Sequence, residues 1–177
     1  VVFTATDDCG NFSTTSATFT IIDVTAPTIT TPAANLTVEC DGQGNTAQLN
    51  AWLASNGGAI ASDICSNVIW TNNFTTLSDL CGNTGAATVV FTATDDCGNF
   101  STTSATFTII DVTAPTITTP AANLTVECDG QGNTAQLNAW LASNGGAIAS
   151  DICSNVTWTN NFEALSDLCG NTGAATV

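Results

Sequence analysis

Short segments in which apolar and polar residues alternate recur along the chain, and they predict β-strands separated by turns. Ala86–Thr94 and Phe100–Ile110 alternate in this way and are rich in β-branched residues, so we predict a hairpin joined by the turn Asp95–Asn99. Thr28–Thr31 and Leu36–Cys40 have the same character and predict two earlier strands. Repeated short strands of this kind are typical of an all-β fold.

One segment departs from this alternation and predicts a short helix. Leu49, Trp52 and Leu53 lie at spacings of three and four within an Ala-rich run, which places them on one helical face. Asn45 is suited to cap the start of this helix, and Gly57-Gly58 is suited to end it. We expect the helix to lie over an end or a side of the sheets.

The sequence of residues 1–88 returns almost unchanged as residues 89–176, so the chain is a tandem repeat. Three of the 88 positions differ between the copies: Ile69 and Thr157, Thr75 and Glu163, Thr76 and Ala164. Repeats usually build an array in which each unit contacts mainly its neighbours. Such an array supplies length or many identical surfaces, and it seldom supplies a single catalytic pocket.

The difference at position 69 also orients the predicted strand Val68–Phe74. The residue is Ile in this copy and Thr in the other, which indicates that its side chain faces solvent. Because side chains alternate between the two faces of a strand, we expect Val68 and Trp70 to face the core.

The connectors Ile22–Pro27 and Ile110–Pro115 mark the predicted domain boundaries, because proline stiffens its own backbone and restricts the preceding residue. Residues 24–111 then form one complete domain. Residues 1–23 are the closing strands of a preceding repeat, and residues 112–177 are the next repeat without its last strands.

The first and last residues of the sequence both fall inside a predicted strand. We therefore expect a window onto a longer polypeptide in which neighbouring repeats follow one another end to end in the same chain. In the alternative arrangement the neighbours are identical subunits, and residues 1–22 of one subunit complete residues 112–177 of the next as donated strands.

The charge of the chain excludes two classes of partner. It has no Lys, Arg or His and 15 acidic residues, for a net charge of −15. Nothing can neutralise phosphates, so we expect neither nucleic-acid binding nor association with an anionic membrane, and no membrane insertion. The carboxylates must face water, accept neutral hydrogen bonds or bind a cation from solution.

Each repeat carries four cysteines, which are Cys40, Cys65, Cys81 and Cys97 in the complete domain. An even count in a Thr- and Asn-rich chain without His predicts disulfides and an oxidising, extracellular location. Zinc held by four thiolates is the alternative, although no CxxC pair is present.

Several motifs of the repeat resemble bacterial immunoglobulin-like and hyalin-repeat domains. These motifs are Ala93–Asn99, Phe107–Asp111 and Thr113–Pro115, together with Trp52-Leu53, Asn56–Ala59, Asp63–Cys65 and Trp70–Asn72. The combination looks like the version that is tandemly repeated in giant cell-surface adhesins of gliding Bacteroidetes. The resemblance implies tandem immunoglobulin-like β-sandwiches, each with one short helix, in a secreted or surface-exposed bacterial adhesin stalk.

The topology of such a sandwich implies a Ca²⁺ site at each junction between domains. It gathers the linker and loop residues Asp23, Asp63, Asp95, Asp96 and Asn99 at the end where the chain enters. At the next junction the counterparts are Asp111 and Asp151. In the alternative interpretation these residues shape turns and bind no metal.

The same topology implies the disulfide pairing. It pairs Cys65 with Cys97 and Cys40 with Cys81, and the equivalent of the second bond joins Cys128 to Cys169. Cys9 and Cys153 would then find partners only across the ends of the sequence.

No enzyme is expected, because no His or Lys is present to activate a nucleophile. The favoured function is a structural repeat of an extracellular filament or adhesin stalk. The alternative is a module that binds glycans or surfaces through multivalent repeats. Buried Trp52 and Trp70 would favour the stalk, whereas a patch of exposed aromatic side chains would favour glycan binding.

Overall fold

The computed structural model describes residues 1–168, 170 and 172–177, and it consists mostly of β-strands with a few short helices. The helices are α1 (Thr46–Ala54) and α2 (Thr134–Ala142), each followed by a single 3-10 turn. The strands are β1 (Val2–Thr6), β2 (Phe12–Ser16), β3 (Thr28–Thr31), β4 (Leu36–Glu39), β5 (Ile60–Ser62), β6 (Val68–Asn72), β7 (Gly85–Asp95), β8 (Phe100–Ile110), β9 (Thr116–Thr119), β10 (Ile148–Ser150), β11 (Ser166–Asp167) and β12 (Gly173–Ala174).

The largest sheet has four strands in the order β4-β8-β7-β6. Its centre is the long antiparallel hairpin of β7 and β8, in which Phe91 lies opposite Thr103. β6 pairs antiparallel with β7, and β4 pairs parallel with β8, with Leu36 beside Phe107. Both outer strands therefore depend on the central hairpin for their backbone hydrogen bonds.

A two-stranded sheet of β3 and β5 and the helix α1 complete the first repeat. The core lies between α1 and the four-stranded sheet and contains the alternating inward residues of the hairpin, among them Phe91 and Phe107, which are fully buried. Trp52 of α1 packs edge-on against Phe91, with ring centroids 5.3 Å apart, and its indole N–H donates to the Ala34 carbonyl at 3.0 Å. The helix thus covers the core, and its aromatic N–H is satisfied.

The predicted elements of this repeat are confirmed, with two differences of detail. β5 was not predicted, because its three residues are too few to establish an alternation. Asn45 precedes α1 as expected but makes no capping bond, since its backbone is left-handed. Its fully buried amide instead donates to the Glu39 carbonyl at 2.8 Å and so closes the loop before the helix.

The predicted orientation of β6 is also confirmed. Ile69 is exposed, while Val68 and Trp70 are partly buried, and Trp70 packs against the core. The difference between the two copies at position 69 therefore correctly predicted which face of β6 is exposed to solvent.

The second repeat has nearly the same sequence but fewer strands. Residues 124–127 repeat the sequence of β4, and residues 156–160 match β6 except at Thr157, yet neither segment is a strand. In the first repeat both segments pair with the β7–β8 hairpin. Among the described residues no such hairpin lies beside residues 124–127 or 156–160, so neither segment has a strand to pair with. Strand formation here depends on the pairing partner as well as on local propensity.

Candidate cation site and the junction between repeats

Three carboxylates meet at one end of the first repeat. Asp23 lies in the connector, Asp63 follows β5, and Asp95 is the last residue of β7. One oxygen from each lies within 4.8 Å of the others. Asp95 is buried, and Asp23 and Asp63 are half-buried. These three carboxylates, which the topology implied by the resemblance gathers together with Asp96, do lie close to one another.

Asp95 is held by the turn that follows it. Its Oδ1 accepts hydrogen bonds from the backbone N–H groups of Cys97 at 2.9 Å and Asn99 at 2.8 Å. Its Oδ2 accepts a third from the Asn99 side-chain amide at 2.8 Å. Burial raises the pKa of Asp95, but these hydrogen bonds outweigh it and leave the pKa below the usual value of 3.8. The turn thus keeps a buried carboxylate ionised.

Asp63 and Asp23 each use one oxygen to shape their own loop. Asp63 Oδ1 accepts from the N–H groups of Cys65 at 2.8 Å and Ser66 at 3.1 Å. Asp23 Oδ1 accepts from the Thr25 N–H at 3.1 Å. Among the described residues, no group donates a hydrogen bond to the buried Asp23 Oδ2. A buried carboxylate oxygen with no donor is costly, and a water molecule or a cation would relieve that cost.

A divalent cation fits this arrangement. The chain contains no Lys, Arg or His, so no side chain can supply a positive charge to the three carboxylates. Carboxylate oxygens are the hard ligands that Ca²⁺ prefers, and Ca²⁺ tolerates irregular geometry. Asp23, Asp63 and Asp95 are therefore the residues that would hold it.

The other residues predicted for this site have different roles. Asn99 uses its amide as a donor to Asp95 and to the Asp23 carbonyl at 3.4 Å, so it orients the site. Asp96 is exposed and lies outside the cluster. Asp111 and Asp151 belong to no group of three ligands among the described residues. The counterpart of Asp95 at that junction would fall 88 positions further on, outside the sequence.

The predicted bond between Cys65 and Cys97 is not present, and both thiols are free and exposed. The two loops do meet, as their carboxylates show, but the side chains that converge there are Asp63 and Asp95. Desolvation raises the pKa of Cys97, and the charges of Asp23, Asp95 and Asp96 raise it further. These carboxylates oppose formation of the thiolate that disulfide exchange requires.

The predicted pairing of Cys40 with Cys81 is wrong in this structure. Cys40 forms a disulfide with Cys153 of the second repeat, with 6.1 Å between their Cα atoms. Both cysteines are buried, and the exposed Cys81 is free. The expectation that Cys153 lacks a partner within the sequence is wrong for the same reason. The pairing follows from how the second repeat packs on the first, which the pattern of a single repeat does not encode.

Two other predictions about cysteines have simpler outcomes. Cys9 is exposed and free, and its expected bond across the ends of the sequence stays a prediction. Cys169 lies outside the described residues, so the predicted Cys128–Cys169 bond stays a prediction.

The loop that carries Cys153 lies against the far end of the first repeat. The Asn83 N–H donates to the Cys153 carbonyl at 2.7 Å, which adds a backbone hydrogen bond to the disulfide. The Glu39 carboxylate accepts from the Val112 N–H at 3.0 Å and from the Thr113 hydroxyl at 2.8 Å. Glu39 thereby ties the start of the connector to β4. The roles of Glu39 and Asn83 were not predicted, because each makes its hydrogen bonds to residues outside its own part of the fold, at the junction.

Two glycines make this close approach possible. A Cβ on Gly42 would lie 2.8 Å from the Ile152 carbonyl oxygen, and a Cβ on Gly82 would overlap the Cys153 carbonyl. Among the described residues, their counterparts in the second repeat, Gly130 and Gly170, have no atom within 4 Å of that position. All four glycines have positive φ, so their backbone conformation is the same in both copies. The close contact in the first copy is therefore due to the neighbouring repeat.

Comparison with known proteins adds no relatives: no protein-family model, no curated protein and no solved structure matches this chain. Within the described residues, no helix has both the length and the apolar character needed to cross a membrane.

Proposed function

We propose that this chain is a structural repeat of an extracellular filament or adhesin stalk of bacterial origin, without catalysis. The observation that carries this proposal is the buried disulfide from Cys40 to Cys153, which connects one copy of the repeat to the next. Tension applied along the chain passes through this bond and bypasses the 113 positions between the two cysteines. A disulfide in an extracellular location persists, so it can bear load.

Each repeat in this proposal is an immunoglobulin-like β-sandwich with one short helix. The four-stranded sheet supports it, since the buried faces of β7 and β8 pack within one core that α1 covers. The proposed unit spans residues 24–111. Residues 1–23 and 112–177 are the parts of its neighbours that the sequence contains.

Ca²⁺ at Asp23, Asp63 and Asp95 is the second part of the proposal. The site joins the connector to the loops at one end of the repeat. Without a cation, three neighbouring carboxylates repel one another and loosen the connector. With a bound cation, the repulsion becomes attraction and the connector stiffens.

The alternative function is glycan or surface binding through multivalent repeats. Trp52, the residue that would most readily stack on a sugar, is buried and hydrogen-bonded in the core. The burial of Trp52 favours the stalk, whereas Trp70 is only partly buried and Phe12, Phe100 and Trp158 are exposed, which favours glycan binding. A glycan array probed with the whole chain separates the two proposals, since selective binding would demote the stalk.

Thermal unfolding in EDTA and then in excess CaCl₂ tests the cation site. We expect Ca²⁺ to raise the melting temperature, and Asp23→Asn to reduce the rise. Asp111→Asn is the matched control, because it changes the same connector residue away from any described cluster. An unchanged midpoint on adding Ca²⁺ would contradict the site.

A further inference from the structure

The outward face of the four-stranded sheet carries a regular array of hydroxyl groups. Because side chains alternate along a strand, the residues between the buried positions of β7 and β8 point away from the core. The Ser and Thr residues that share this face are Thr37 of β4, Thr71 of β6, Thr88, Thr92 and Thr94 of β7, and Thr102, Ser104, Thr106 and Thr108 of β8. The sheet therefore presents one chemistry to solvent across all four strands.

The strand register aligns these hydroxyls in rows. Thr71, Thr92 and Thr102 lie opposite one another across β6, β7 and β8. Thr88 lies opposite Thr106, and their hydroxyl oxygens are 2.9 Å apart. Neighbouring strands are about 4.8 Å apart, and alternate residues of one strand are about 6.8 Å apart. The array is therefore periodic in two dimensions, as the surface of a crystal is.

The row of Thr71, Thr92 and Thr102 is rigid and available to a ligand. A β-branched side chain is restricted at χ1, and the two central strands of the sheet are paired on both sides. Among the described residues, no protein group forms a hydrogen bond with these three hydroxyls. On the core side, in contrast, the Thr103 hydroxyl accepts the Ala33 N–H at 3.1 Å. A ligand would meet preorganised groups, which reduces the entropy lost on binding.

This face is nearly uncharged, although the chain is strongly acidic. The net charge is −15, yet Glu39 at the sheet edge is the only acidic residue that the four strands place on this face. Its carboxylate already accepts the Val112 N–H and the Thr113 hydroxyl. A mineral surface or a basic partner would be matched by free carboxylates, so the face is suited to a neutral ligand.

Ice and crystalline polysaccharide are neutral solids whose surfaces are periodic in two dimensions. Sugar rings are held largely by stacking on aromatic side chains. Among the described residues of this face, Phe100 is the only aromatic one, and it lies in an end row opposite Thr94. The other rows offer mainly methyl and hydroxyl groups. Methyl groups restrict the water beside them and hydroxyls hydrogen-bond to it, so this surface favours ordered water.

We propose that the outward face of the β4-β8-β7-β6 sheet binds ice, with the row of Thr71, Thr92 and Thr102 as its main contact. The threonine hydroxyls hydrogen-bond to water molecules of the lattice, and the methyl groups lie between those water molecules. Because a β-sheet twists, the match with a flat lattice extends over a few strands, which is the width of this row. The activity is separate from the proposed stalk function, and neither requires the other.

Partition of the purified 177-residue chain into slowly growing ice tests this proposal, together with thermal hysteresis of the remaining solution. We expect the wild-type chain to be enriched in the ice and to produce hysteresis. Thr102→Glu should reduce both effects by roughly tenfold or more, because it presents a charge to a neutral lattice. Thr31→Glu is the matched control, since Thr31 is also an exposed strand residue but belongs to the β3–β5 sheet. It should behave like the wild type.

A second variant separates loss of the face from loss of the fold. Thr71→Glu changes the same row on another strand and should lose as much ice binding as Thr102→Glu, while circular dichroism and the melting temperature stay close to the wild-type values. Exclusion of the wild-type chain from ice, or equal losses in Thr31→Glu and Thr102→Glu, would overturn the proposal. Retention on cellulose or chitin powder instead of ice, abolished by Thr102→Glu, would assign the face to crystalline polysaccharide and would also overturn it.

Discussion

Cys40 and Cys153 are separated by 113 positions in the sequence, and their buried disulfide connects one copy of the repeat to the next. It lies beside the hydrogen bond from the Asn83 N–H to the Cys153 carbonyl. Glu39, the neighbour of Cys40, holds the connector through Val112 and Thr113. The disulfide, the loop that carries Cys153 and the connector therefore form one junction between the repeats. The mechanical role proposed for the chain depends on this junction.

Gly82→Ala should weaken the junction. The new methyl group would overlap the Cys153 carbonyl, so the second repeat must shift, and overpacking of this kind costs about 1–3 kcal/mol. Gly170→Ala is the matched control, because φ is +58° at Gly82 and +60° at Gly170, while no described atom lies within 4 Å of a Cβ at Gly170. Denaturant unfolding of both variants measures the difference. Equal losses of stability would mean that backbone strain, and not the junction, accounts for the effect.

Phe107→Ala should destabilise the first repeat by about 3–5 kcal/mol, because it removes a fully buried ring from the core. Phe19→Ala changes the counterpart of Phe107 next to the exposed β1–β2 hairpin and should alter stability by less than about 0.5 kcal/mol in dilute solution. Chemical unfolding followed by tryptophan fluorescence checks both, since Trp52 lies 5.7 Å from Phe107. A large loss from Phe19→Ala in the monomer would contradict the described exposure.

Asp95 should make stability depend on pH in the absence of divalent cations. The pKa of Asp95 is lower in the folded state than its usual value of 3.8, so the ionised carboxylate stabilises the fold at pH values above 3.8. This stabilisation is lost as the pH falls through the lowered pKa. Asp95→Asn should therefore lower the melting temperature by several degrees at neutral pH and flatten its decline in acid.

The control for this prediction is Asp7→Asn. Asp7 makes the same hydrogen bonds in the exposed hairpin, and its pKa is lowered mainly by the Asn11 side chain. Because that hairpin packs against no core, its substitution should leave the melting curve unchanged. Calorimetric scans from pH 7 downward compare the three proteins, and parallel curves for wild type and Asp95→Asn would contradict the role of Asp95.

Much of the first repeat could be predicted from local patterns. The alternation in β7 and β8 and the spacing of Leu49 and Trp52 each report which face an element buries. The meeting of Asp23, Asp63 and Asp95 was also predictable, since it follows from the topology that the resemblance implied.

The junction could not be predicted in this way. The sequences at residues 36–39 and 124–127 are identical, yet one forms a strand and the other does not, because only one has the hairpin beside it. Cys153 has the same local sequence as Cys65, yet one is bonded and the other is free. In the first case the deciding factor is the hairpin that lies beside the segment, and in the second it is the position of another repeat, which no pattern within one repeat contains.

Single-molecule pulling between the two ends of the chain, with and without reductant, tests most directly whether the disulfide carries load between repeats. While the disulfide from Cys40 to Cys153 is intact, the residues between them, a sequence separation of 113, bear no force. Once the bond is reduced, each of these residues can add about 3.6 Å to the extended length. The oxidised chain should therefore extend roughly 400 Å less than the reduced chain, and Cys153→Ser should abolish the difference. Equal extension in both states, or a difference of only about 150 Å as expected for a bond from Cys40 to Cys81, would contradict the account.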